Sequence, residues 1–322
     1  MNIILIGVIG EIRMENKALE KRLKRKRRRR NIIIFLLIVG PIAMFIEAMF
    51  WRVSDVFDVI FEAVGEDVPN LREEQNLPPL NLGEDPFSIL ILGLDEGRSD
   101  TMMVATVNPE LDTTYLLSIA RDTKVDIPGH WTTRINHAFA YGGIDLAIKT
   151  VQNFLNIPID YYASLRMEEF PTLVDAFGGV QVYNRTVAFS LGGYHFPLGY
   201  INLTGNSAYY YIRMRIDDPR GDFGRQERQR DVLTALVNEI AGVAVVTRYQ
   251  QILDSVSQYM RTDVTLNEML TISLSYNRAL RNITNLTLQA PGNIINGMYL
   301  IPIPEDQRLE MSQRLRGHLE LD

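Results

Sequence analysis

Two kinds of apolar patterning divide the chain. Residues 32–50 form a continuous apolar run whose one charge is Glu47. At about 1.5 Å per residue a helix there is roughly 28 Å long, close to the ~30 Å hydrocarbon thickness of a bilayer. The run predicts one membrane-spanning helix over 31–51, with Trp51 at the outer interface. From Phe87 onward the apolar residues come instead in short runs separated by stretches of helical spacing. Residues 87–92, 101–107, 115–120, 161–165, 180–183 and 286–289 read as strands. Residues 143–155 read as an amphipathic helix, with Ile144, Ala147, Ile148, Val151 and Leu155 on one face. Further helices are expected over 167–177, ended by Gly178-Gly179, and over 203–211, 225–246, 250–260 and 266–280. Strands interleaved with helices predict a three-layer α/β/α domain with a mixed central sheet, preceded by one transmembrane helix. Between the two regimes, residues 52–86 carry Pro69, Pro78, Pro79 and Pro86 with an acidic bias, and read as a linker or stalk containing a short helix near 53–64. The folded domain is therefore expected over 87–322.

Charge gives this division a direction. The 322 residues carry a net charge of −6, but residues 1–30 hold eleven Lys/Arg and three Asp/Glu, and everything after them is strongly acidic. A basic tail against an apolar run predicts a cytoplasmic N-terminus and an exterior body, a single-pass protein of the cell membrane. A cleaved signal peptide is the competing reading, but its apolar stretch is typically about 7–15 residues and a small-x-small site should follow; none is evident after Phe50. Beside a spanning helix, the basic run is assigned to topology and contact with membrane lipid rather than to nucleic acid. Met14 opens a basic tail of ordinary kind, so either Met1 or Met14 reads as a start. A composition 46% hydrophobic and 22% charged excludes a disordered chain. The absence of cysteine excludes disulfides, thiolate metal sites and a cysteine nucleophile.

Within the acidic body, arginine and aspartate gather where strands are expected to end. The first group runs from Asp95 through Arg98 to Asp100, and the second is Arg121-Asp122. The third is Arg213 and Arg215, continuing through Asp217 and Asp218 to Arg225 and Gln229. Such loops commonly hold ligands, and arginine suits bidentate contact with phosphate. In a helix starting at Arg225, Gln229 is four positions on and Arg228 three, so they fall on neighbouring faces of its N-terminal turns, where free N–H groups also favour an anion and Asp222 reads as the cap. The bland alternative is solvated ion pairs between each arginine and its neighbouring aspartate, worth ~0 to 1 kcal/mol apiece. His130, His137, His195 and His318 show no metal-ligand spacing, and no GxSxG elbow or GxxxxGK[ST] loop is present. Hard oxygen donors from Asp95, Asp100 and Asp122 suit Mg²⁺ better than zinc. Tyr209, Tyr210 and Tyr211 read as a core-facing helix side rather than a base-stacking surface.

Five motifs lie in register over about 87–231: Arg98-Ser-Asp-Thr-Met, Ser118-Ile-Ala-Arg-Asp, Arg134-Ile-Asn-His-Ala-Phe-Ala-Tyr-Gly-Gly, Asp175-Ala-Phe-Gly-Gly-Val, and Leu203-Thr-Gly leading to Tyr211-Ile-Arg-Met-Arg and Gly221-Asp-Phe-Gly-Arg-Gln-Glu-Arg-Gln. Together they resemble the LytR-CpsA-Psr family of envelope phosphotransferases. Ala120 stands where that family usually has proline. The loop Asp95-Glu-Gly-Arg98 is shorter than usual, which leaves the role of Asp95 open.

The resemblance implies transfer of a glycopolymer, such as a teichoic acid or capsule chain, from a polyprenyl pyrophosphate carrier to peptidoglycan, with Mg²⁺. It implies pyrophosphate binding by Arg98, Arg121, Arg213, Arg215, Arg225 and Gln229, with Asp95 and Asp100 at the metal and the polyprenyl tail in an apolar groove. Arg121, Asp100 and Asp122 are the candidate catalytic residues, and either aspartate could serve as base, metal ligand or partner of Arg121. Phosphoryl transfer needs charge neutralisation and in-line positioning more than a covalent nucleophile. The competing readings are hydrolysis of the lipid pyrophosphate and a non-catalytic receptor for polyprenyl phosphates.

Overall fold

The computed structural model describes residues 47–65, 68, 71–240 and 244–321. The chain divides into two units, 1–55 and 56–322. In the first, residues 47–55 are helical. The basic tail and most of the expected spanning run lie outside the described residues. Among the described residues no helix is long and apolar enough to cross a membrane.

The second unit is a mixed α/β fold built on a six-stranded sheet. Its strands are β1 (Phe87–Asp95), β2 (Arg98–Asn108), β3 (Thr113–Ser118), β4 (Tyr161–Arg166), β5 (Met260–Thr262) and β6 (Ile283–Thr287), in spatial order β5-β4-β1-β2-β3-β6. β1, β2 and β3 form an antiparallel meander. β4 joins β1 and β6 joins β3 in parallel, so the sheet is mixed. The alternation of side chains sorts the two faces. Leu90, Leu92, Met102, Val104 and Leu117 pack under helix α1 (His137–Leu155) and the C-terminal helix α6 (Glu305–His318). Met103, Ala105 and Leu116, with Ile89 and Ile91, face the other way. On that side stand α2 (Phe170–Phe177), α3 (Gly205–Arg213), α4 (Asp222–Ile240) and α5 (Ala244–Tyr259), the first three sharing a second apolar cluster through Val174, Ala208, Tyr211 and Val232.

Three expectations change. The helix read from Gly143 begins at His137, because its path is interrupted at Gly142 and at Gly143, whose φ of 63° suits glycine; the apolar stripe is regular only after the break. The closing strand is β6, and α6 follows it unpredicted. The buried residues of α6 are Ser312, Leu315 and His318, too little apolar surface to show a 3.6-residue period. Third, residues 52–86 are not a free stalk from Val56 on. Val56 and Ile60 are buried, and Arg72 clasps Asp160 through Nε–Oδ1 at 2.5 Å and Nη2–Oδ2 at 3.0 Å. Leu80 and Leu82 pack against the cluster of Phe87 and Tyr276. Prolines prevent regular structure here, not the packing of an extended chain.

Candidate active site

The meander puts the end of β1, the start of β2 and the end of β3 at one edge of the sheet. Asp95 closes β1 opposite Arg98, which opens β2. The Ile119 amide donates to the Met102 carbonyl at 2.9 Å, carrying the chain past β3 so that Arg121 arrives beside Asp100. Arg121 Nη1 donates to Asp100 Oδ2 at 2.6 Å. The other Asp100 oxygen accepts from Asn136 Nδ2 at 3.2 Å, just ahead of α1. From the opposite side, Arg213 ends α3, pairs with Asp95 and lies over the Tyr209 ring at 4.6 Å. Arg225, on the first turn of α4, pairs with Asp222 at 2.8 Å.

These groups enclose a cavity of about 390 Å³ lined by Asp95, Asp100, Arg121, Arg213, Arg215, Arg225 and Gln229, with Thr101, Met167 and Ile216 among its other walls. Seven expected site residues thus converge from four separate segments. Two of the ion pairs form across the fold, Arg213 with Asp95 at 118 positions apart and Arg121 with Asp100 at 21, whereas Arg225 pairs locally with Asp222. Arg215 is exposed and has no ion pair with a described residue. Exposed or half-exposed pairs of this kind contribute ~0 to 1 kcal/mol, so an incoming phosphate can replace the carboxylates at small cost.

Arg225 is 9% exposed. Burial lowers its pKa, Asp222 offsets this in part, and the positive charge of Arg121 lowers it further. The Nε atoms of both Arg121 and Arg225 are buried without a hydrogen-bond partner. Two neighbouring guanidiniums with unused donors form an electropositive, incompletely satisfied site, which an anion with several oxygens would complete.

Two expected residues lie outside this cavity. Asp122 is buried behind Arg121, between Arg121 Nε at 3.7 Å and Arg134 Nη1 at 3.4 Å. Arg98 is exposed on the β1–β2 hairpin, close enough to His137 to affect it: burial, then Arg134, then Arg98 hold the imidazole below its ordinary pKa. Arg134 Nη2 lies 2.8 Å from His137 Nε2. A guanidinium can only donate, so Nε2 accepts and the ring proton sits on Nδ1.

Arg228 is turned away from the cavity. It donates to Asp218 at 2.7 Å and to the Met214 carbonyl at 2.5 Å, pinning the loop that presents Arg215. Of the three consecutive tyrosines only Tyr211 is fully buried; Tyr209 backs Arg213.

A second cavity of about 230 Å³ adjoins the first, sharing Thr101, Met167, Ile212 and Gln229 as walls. The rest of its lining is almost wholly apolar, from the sheet (Ile89, Ile91, Met103, Ala163), α2 (Phe170, Leu173) and α4 (Leu233, Leu236). Its residues are scattered through segments that read simply as core, so no linear motif announced it. Asn136 stands inside one of the motifs without having been singled out, and Met167 lies outside all of them.

No three His, Cys, Asp or Glu residues come together as a metal cage among the described residues. The donor set nevertheless fits Mg²⁺, which is usually held by one or two carboxylates together with phosphate oxygens; Asp95 and Asp100 line the same polar cavity.

The geometry has close relatives. A family model described as the LytR_cpsA_psr family matches residues 60–317. The polyisoprenyl-teichoic acid--peptidoglycan teichoic acid transferase TagU of Enterococcus faecalis is 40% identical over 89% of this chain and 94% of its own length. Its namesake from Halalkalibacterium halodurans is 46% identical over 74% of this chain and 81% of its own. Among solved structures, TagT bound to LIIa-WTA superposes with a TM-score of 0.67 at 29% identity, covering 76% of this chain and 95% of that one. By sequence over most of its length and by fold, the chain belongs to the LytR-CpsA-Psr family.

Proposed function

We propose that this transferase moves a teichoic-acid-like glycopolymer from a polyprenyl pyrophosphate carrier to peptidoglycan. The observation that carries the reading is the pair of adjoining cavities, one lined by arginine and aspartate and the other apolar. A lipid pyrophosphate has that same division, a charged head on a hydrocarbon tail, and few soluble phosphate compounds do. The relatives named above transfer teichoic acid to peptidoglycan, which supports the same donor and acceptor classes here.

In this reading Arg121, Arg213 and Arg225 hold the pyrophosphate oxygens, with Arg215 and Gln229 at the margin of the site. The tail follows Gln229 and Met167 into the apolar cavity. A sugar hydroxyl of peptidoglycan attacks the sugar-linked phosphorus, a new P–O bond forms, and the bond to polyprenyl phosphate breaks. Of the two aspartates read as candidate bases, Asp100 lines the cavity and Asp122 does not, so the acceptor proton passes to Asp100. The arginines take up the charge developing on the phosphate oxygens; each well-placed donor contributes ~2.7 to 4 kcal/mol in comparable oxyanion sites. Asp95 and Asp100 would hold Mg²⁺, which supplies further neutralisation of the phosphate oxygens. The basic tail and residues 32–50 would anchor the chain in the cell membrane with the catalytic unit outside, where peptidoglycan lies.

The test is mass spectrometry of lipid extracted from the purified full chain. A co-purifying polyprenyl phosphate or pyrophosphate supports the reading, and its absence after reconstitution with such lipid overturns it.

A further inference from the structure

The polar cavity adjoins the apolar one at Thr101, Met167, Ile212 and Gln229. From Arg121 a different set of contacts leads away: Arg121 to Asp122, Asp122 to Arg134, Arg134 to His137. The next layer is aromatic. Tyr141 lies 5.6 Å from His137 by ring centroids, with its hydroxyl 3.3 Å from His137 Nδ1. His130 stacks on Tyr141 at 4.7 Å with 26° between planes, and Trp131 leans on the same ring at 5.6 Å. Trp131 is 62% exposed and Tyr141 38%.

A contiguous group of exposed rings is unusual on a soluble surface. Trp131 is mostly exposed, and its ring contacts are with His130 and Tyr141. The polar tips (Tyr hydroxyl, imidazole and indole N–H) alternate with flat apolar faces, and Arg98 and Arg134 border the group. That composition matches a pyranose, which presents an apolar C–H face and a ring of hydroxyls, better than it matches a hydrocarbon surface.

The geometry points to Trp131, Tyr141 and His130 as the platform for the acceptor glycan strand, an alternating N-acetylated disaccharide polymer that stacks on the rings while one of its hydroxyls reaches Asp100 and Arg121. Donor and acceptor then reach the arginines by separate routes, which leaves room for an in-line displacement. This rests on the transfer reading above. Trp131 is a positioning residue and touches no reacting atom.

The chain has two tryptophans, so Trp51→Phe leaves Trp131 as the sole indole reporter. Titrating that variant with a soluble peptidoglycan tetrasaccharide is expected to change the Trp131 fluorescence saturably, and Tyr141→Ala in the same background to weaken the binding roughly 5- to 10-fold. In the transfer assay, Trp131→Ala should raise the acceptor KM by a similar factor, leave the lipid-donor KM unchanged, and recover in Trp131→Phe. Unchanged fluorescence together with an unchanged acceptor KM overturns the platform. So does a blue shift of Trp131 on glycan-free vesicles with none on glycan, which assigns the patch to the membrane surface. Saturable glycan binding without any transfer leaves the platform standing and removes the transfer reading, so the two can fail separately.

Discussion

Arg121 Nη1 and Asp100 Oδ2 stand 2.6 Å apart, joining the loop after β3 to the start of β2 at the mouth of the polar cavity. Both side chains are 25% exposed, so neither is committed to a dry core. In the proposed reaction Asp100 holds Arg121 in place before substrate arrives and releases it to phosphate afterwards. Arg121→Ala is therefore expected to fold with an unaltered melting temperature and to lose transfer by about 10²- to 10³-fold in kcat. Arg121→Lys should recover little, since a point charge cannot reproduce the bidentate fork. Transfer retained by the alanine variant would show that the arginine pocket is not the reacting site.

Removal of divalent cations tests the two carboxylates. Chelation should stop transfer reversibly, with Mg²⁺ restoring it. Asp95→Asn and Asp100→Asn should each raise the Mg²⁺ concentration needed for half-maximal rate, and Asp100→Asn should also lower the saturated rate. Titration of rate against Mg²⁺ for the three proteins gives the comparison, and identical curves would remove the metal assignment.

The apolar cavity makes a prediction about chain length. Ala163 lines it from β4, and Ala163→Phe would fill part of its 230 Å³. The variant should bind a long-chain polyprenyl pyrophosphate donor at least tenfold more weakly, an effect of about 1.4 kcal/mol, while a short-chain analogue is used as well as by the parent. Equal loss with both donors would mean that the substitution disturbs the phosphate site instead.

Stability carries a pH signature at the opposite face of the sheet. His318 in α6 is 3% exposed, within 2.8 Å of the Thr106 hydroxyl and stacked on Tyr115 at 4.0 Å. Burial pushes its pKa down to about 4 from 6.5. The unfolded chain therefore binds this proton first, and stability is lost as pH falls from about 6.5 toward 4, by roughly 3 kcal/mol in all. Asp263 works in the opposite sense: burial raises it to about 6, so its proton favours the folded state over much of the same range. The clean observable is a difference. Relative to the parent, His318→Gln should become progressively more stable in urea unfolding as pH drops from 7 to 4; a constant offset would show that His318 does not titrate on unfolding.

The sequence carried this site unevenly. Arg121, Arg213 and Arg225 could be read because arginine is conspicuous in an acidic body and each stands where a strand ends or a helix begins. Their pairing could not: Arg213 meets Asp95 and Arg121 meets Asp100 only once β1, β2 and α3 have packed, and local spacing favoured adjacent partners. Arg228 shows the limit of helical geometry, since its spacing from Arg225 put it near the site while Asp218 drew it inward. The apolar cavity was invisible because Ala163, Leu173 and Leu236 pattern as ordinary core. In the fold, short apolar runs marked β1 to β4 and glycine stops the end of α2, whereas the weakly patterned α6 and the proline-bearing segment around Arg72 gave no sign that they pack.

Product analysis tests the central claim most directly. The full chain in membranes is given a polyprenyl pyrophosphate-linked glycopolymer, peptidoglycan and Mg²⁺, and the products are resolved by mass spectrometry. A phosphodiester joining glycopolymer to peptidoglycan, formed together with polyprenyl phosphate and lost in Arg121→Ala, is the predicted result. Free glycan phosphate with no wall-linked product would make the protein a hydrolase and contradict the account.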